Sequence, residues 1–123
     1  MKMHTYTQEI TTNLNELKAI FDYYDVHDAA LENLTFNFEK QEIILKLAVC
    51  DSLQDSFVDL IFTFGGVFKF LSDTKDIFNP QECFSVESLQ ETAQGKFEIS
   101  LYFIPYWLLT IGFTSLSAES GKL

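Results

Sequence analysis

A chain of 123 residues predicts a single domain, 1–123, and with 47% hydrophobic residues it can bury a core of its own. Its net charge is −10, and all eight basic residues are lysine. An acidic, arginine-free surface repels a phosphate backbone and lacks the fork that reads guanine edges, so nucleic-acid binding is not expected. The same charge aids solubility and suits a basic protein partner, because complementary fields speed encounter.

The N-terminus, MKMHTYTQEITTN, lacks the apolar run of a signal peptide. Ile10, Leu14, Leu17, Phe21 and Tyr24 then recur at steps of four and three, which makes one apolar stripe on a helix. Asn13 can cap that helix, with Glu16 three residues on to close a capping box. Asp22, Asp25 and Asp28 bring negative charge to its C-terminal end, where the dipole disfavours it and the helix is expected to stop.

Strand patterns follow. In LTFNFEKQEIILKLAVC, Leu34, Phe36 and Phe38 alternate with Thr35, Asn37 and Glu39. A polar turn at Lys40-Gln41-Glu42 leads to Ile43, Leu45, Leu47 and Val49 on one face, the pattern of a hairpin. Along Phe57 to Leu71, Val58, Leu60, Phe62 and Phe64 share a face. Gly65-Gly66 inside that stretch fits either a two-residue hairpin turn or a bend in one long strand. The hydrophobic flanks favour the bend. A phosphate cradle would need a surrounding glycine or lysine-serine pattern that is missing.

Ser72 to Glu82 forms a polar connection with a turn signal at Asn79-Pro80. CFSVESLQET and KFEISLYFI alternate around Ala93-Gln94-Gly95, and YWLLTIGFTSLS closes the pattern, with Gly112 hinting at curvature. Thirteen phenylalanines, five tyrosines and one tryptophan fit half-buried pleated positions. The uncharged run from Ile99 to Ala118 approaches spanning length, but Pro105, its hydroxyl residues and the strand alternation before it argue against a membrane helix. A cytoplasmic protein is expected. The expected fold is α+β: an N-terminal helix packed on a curved, mainly antiparallel sheet of about six strands.

Candidate sites are few. His27-Asp28 has the form of the HD phosphohydrolase dyad, but the only other histidine is His4, and the residues that follow are strand-like. The pair is better read as a joint or a partner contact than as metal or catalytic machinery. Cys50 and Cys83 have no CxxC spacing, no histidine cluster and no basic neighbour to lower a thiol pKa, so they read as small buried residues. No GxSxG motif is present. The carboxylates at 51, 55, 59, 73 and 76 do not follow calcium-loop spacing. Among the tyrosines and Trp107, which could anchor a partner, Trp107 is expected in the core and Tyr23 on the surface. No catalytic residue, metal or cofactor is expected.

The His-Asp pair, AALENLTFNF, EIILKLAV and VDLIFTFGGVFKF together resemble small bacterial immunity proteins of polymorphic toxin systems, of the immunity protein 50 type, and their uncharacterised relatives. The resemblance covers Tyr24 to Leu71. It implies a cytoplasmic protein that binds and blocks a toxin without catalysis. The leading expectation is therefore a non-enzymatic protein-binding module. An acidic face of Asp22, Tyr23, Asp25, His27 and Asp28 would dock on a basic partner such as a toxin. Two other expectations are a small-ligand binder with a phenylalanine-lined pocket between helix and sheet, and a self-associating protein that buries a strand edge.

Overall fold

The computed structural model describes residues 6–7, 13–23, 29–51, 56–74, 83–104 and 107–122. It holds one helix, α1 (Leu14–Tyr23), and nine strands: β1 (Tyr6–Thr7), β2 (Ala30–Asn37), β3 (Glu42–Asp51), β4 (Ser56–Gly65), β5 (Lys69–Thr74), β6 (Cys83–Ala93), β7 (Lys96–Ile104), β8 (Trp107–Phe113) and β9 (Ser115–Lys122). The strands form two antiparallel sheets, ordered β1-β9-β4-β3-β2 and β5-β8-β7-β6. The expectation of a helix on one curved six-stranded sheet is therefore wrong. Among the described residues the protein is mostly β, with one short helix set against two sheets.

The reason lies in two strands that change sheets. β4 leads into β5 through Gly65-Gly66, and β8 leads into β9 through Thr114. β4 pairs with β9 in one sheet, and β5 pairs with β8 in the other. Each long apolar run thus counts as one strand in sequence and as two in space. β4 and β5 do not pair with each other, so the glycine pair is a bend and not a hairpin turn.

The bend is held locally. Gly65 C=O accepts hydrogen bonds from Thr114 N–H (2.9 Å) and Thr114 Oγ1 (3.3 Å). Gly66 has φ +60°, and a Cβ there would run into the Thr114 side chain. Glycine alone meets both demands at low cost. On the other strand, a Cβ at Gly112 would lie 2.7 Å from the Phe68 ring and 2.9 Å from Lys69 Cβ.

The sheets enclose one core. Leu45, Leu47, Leu60, Phe62, Phe64 and Leu116 from the first sheet are sealed against Phe97, Ile99, Leu101, Phe103, Leu109, Ile111 and Phe113 from the second. Alternation alone puts each of these on an inward face. Phe64 and Phe113 meet edge to face across the core at 5.1 Å. The run from Ile99 to Ala118 lies mainly on β7, β8 and β9, and among the described residues no helix is long and apolar enough to cross a membrane.

The helix begins as its sequence indicates. Asn13 Oδ1 accepts from Asn15 N–H (2.9 Å) and Glu16 N–H (3.3 Å), and Asn13 C=O takes the first helical bond from Leu17 N–H. Leu17 is fully buried in the shared core, and the Phe21 ring tilts against Phe62 at 5.0 Å. Leu14 also packs against the core, while Asn15, Glu16, Lys18 and Ala19 are exposed.

Candidate functional site

β2 and β3 form a hairpin closed by a turn at 38–41. Asn37 Oδ1 accepts from Lys40 N–H at 3.2 Å, and Gln41 takes a left-handed φ of 53°. Gln41 C=O then accepts from Val67 N–H at 2.9 Å, which ties the hairpin tip to the β4–β5 bend. β2 ends the first sheet and β5 ends the second, and residues of both border the hairpin tip and the bend.

A cavity of about 500 Å³ opens there, lined by Phe36, Phe38, Val67 and Phe70, with buried Ile43 and the polar Asn37, Gln41 and Glu42. Phe36 is paired with Ile43 and so belongs to the inward face, yet it is 39% exposed. Phe70 is paired with buried Ile111 and likewise points inward. Their rings meet edge to face at 5.0 Å, and Phe38, 86% exposed, stacks on Phe36 at 6.0 Å. Leaving Phe38 in water forgoes a stabilisation of about 2 kcal/mol, and the partly exposed Phe36 a smaller share. Three such rings around one opening are the kind of surface that recognition sites use.

The surroundings are acidic. Glu39 and Glu42 stand at the hairpin tip with Lys40, and Asp73 is exposed on β5. Lys69 is engaged by Glu98 at 3.1 Å. Phe68 lies outside the cavity, its ring over Gly112 and 5.4 Å from the Lys96 ammonium.

A second polar group lies on the outer face of the first sheet. Lys46 Nζ reaches Asp59 Oδ2 at 3.5 Å, while Asp59 Oδ1 is buried and, with Glu32 ionised, meets no hydrogen-bond donor among the described residues. The neighbouring Glu32 carboxyl is held above the usual carboxylate range. Its acid form supplies a hydrogen bond to Asp59, partial burial and repulsion from Asp59 add to this, and Lys46 opposes it. Among the described residues no group of three or more histidine, cysteine, aspartate or glutamate side chains is placed to hold a metal.

The expected partner face lies largely outside the described residues. Asp22 and Tyr23 close α1, and only their backbone is described. Asp25, His27 and Asp28 lie outside the described residues. Cys50 and Cys83 sit on strands of different sheets. Trp107 is half-buried against Phe103 at 5.2 Å and donates from Nε1 to Ser72 Oγ at 2.7 Å, a core ring with its polar tip satisfied.

A cavity lined by phenylalanines is present at the hairpin tip and bend, where no described helix residue lines it, and so it is not the expected pocket between helix and sheet. Comparison with family models, with curated proteins and with solved structures found no match to this chain. Sequence reading assigned Phe36 and Phe38 to a strand face and no more. The available signal was an apolar alternation carried into the polar turn Glu39-Lys40-Gln41, where Phe38 has no strand left to pack on.

Proposed function

We propose that this chain is a non-enzymatic protein-binding module whose Phe36–Phe38–Phe70 opening grips a basic partner. The observation that carries the reading is the exposed aromatic cluster at an open corner, on a chain of net charge −10. The rings provide the apolar anchor, and Glu39, Glu42 and Asp73 provide the steering rim. Neutralisation of a toxin by occlusion, as in the immunity proteins that residues 24–71 resemble, is one form this binding takes. Asp22, Tyr23, Asp25, His27 and Asp28 would then extend the acidic contact.

The test is a pull-down from the native host's lysate with tagged wild type and with F36S/F38S in parallel, loaded at low salt and eluted by a salt step. The expected result is a basic protein held by the wild type, released at moderate salt and not retained by the variant. Identical retention by both proteins would overturn the proposal.

A second reading has one observation in its favour. A cavity of about 500 Å³ falls in the size range of small-molecule pockets. An apolar ligand seated on Phe36, Val67 and Phe70 would raise the melting temperature of the wild type and not of V67D, across a panel of metabolites.

A further inference from the structure

The four sheet edges are not alike. β1 is two residues long. β2 is interrupted by an irregularity between Leu31 and Asn33. β6 is interrupted twice, between Val86 and Ser88 and between Glu91 and Ala93. Short length and bulges are how sheet proteins blunt edges against further pairing. β5 has neither: its register with β8 runs unbroken from Lys69 to Thr74, and it has no neighbour on its other side among the described residues. It carries apolar side chains towards both faces of that edge, with Phe70 in the cavity and Leu71 56% exposed on the outer face.

We infer that β5 is an acceptor edge, on which a basic partner segment adds as a strand and sets a large apolar side chain against the paired rings of Phe36 and Phe70. This rests on the binding reading above and gives it a mode. In strand addition, backbone hydrogen bonds supply affinity and alternate side chains supply specificity. An added strand would run beside the cavity, because Phe70 of β5 lines it and β8 occupies the other side of β5. Its alternate residues would meet Phe70 on one face and Leu71 on the other. Glu39, Glu42 and Asp73 favour lysine or arginine at its flanks. A second copy of this chain would bring another charge of −10 to the same edge, which is why the occupant is a basic segment.

The experiment uses the full ¹⁵N-labelled chain and a short peptide that alternates lysine with valine around a central phenylalanine. Two further peptides carry N-methyl groups on alternate amides, one on the even and one on the odd positions. The expected result is saturable shifts at Phe36 and Phe70, with amide exchange within Lys69–Thr74 slowed at least about tenfold. One N-methylated peptide should bind about tenfold more weakly and the other should bind like the parent, because only one edge of an added strand donates to β5.

Shifts at Phe36 and Phe70 with unchanged β5 exchange, and equal affinity for both methylated peptides, would overturn strand addition and leave the binding reading standing. Slowed β5 exchange that depends on protein concentration and not on peptide would overturn it in favour of self-pairing. Absence of any shift at the cavity with the parent peptide would overturn both.

Discussion

β2 and β3 carry the same alternation and meet different fates. Ile43, Leu45 and Leu47 on β3 are sealed, whereas Phe36, paired directly with Ile43, is open to water. Face is set by parity along the strand, and both residues are on the inward face. Coverage is set by what stands opposite. β3 sits inside its sheet, while β2 lies at the edge of it. The pair therefore separates two uses of one pattern. On β3 the apolar residues are sealed in the core, and Leu31 and Leu34 of β2 pack against it; Phe36 and Phe38, at the end of β2 and in the adjoining turn, are left open.

The largest effect that sharpens this contrast lies on the sealed side. Phe62→Ala should lower unfolding free energy by about 3–5 kcal/mol in urea titration, since the fully buried ring packs against Phe21 and Phe64. A cost near zero would break the picture of a closed core. At the bend, Gly66→Ala should cost about 2 kcal/mol in the same assay, through the left-handed backbone and the crowding of Thr114. On the open side, Phe38→Ser should change stability by no more than about 0.5 kcal/mol, because the ring is already in water.

The smallest effect concerns the outer face. The Glu32 carboxyl has its pKa raised in the folded chain, so its proton favours the folded state. That contribution is fully present below the unfolded pKa and is lost as pH rises through the folded value. Glu32→Gln, which keeps a donor for Asp59 at every pH, should stabilise the protein at neutral pH by about 0.5 kcal/mol, a surface-pair magnitude. The gain should fade as pH drops through the carboxylate range. Urea titrations on either side of that range would show it, and a gain that grew in acid would contradict the assignment.

Several parts of this arrangement were legible in the sequence. Asn13 announces the helix start, since few side chains can accept the first free amides. The inward faces of β3, β4, β7 and β8 follow from parity. The division into two sheets was not legible. A glycine pair in an apolar strand signals a bend, but which neighbour each half joins depends on β8 and β9, more than forty residues away along the chain. The open corner was hidden for a related reason. Phe36 and Phe70 look like core residues until the strand order leaves both at edges. The residues expected to bind, Asp22, Tyr23, Asp25, His27 and Asp28, rest on local acidity, the His-Asp pair and one surface tyrosine, features that mark an attractive stretch without locating an apolar opening.

One titration tests the central claim most directly. The partner captured by the wild type would be titrated by calorimetry into wild type and into F36S/F38S, after urea titration has shown the variant to be folded. The account expects about a hundredfold loss of affinity in the variant, the scale of a hot-spot pair. Unchanged affinity in a folded variant would contradict it, and would place the recognition surface away from the open corner.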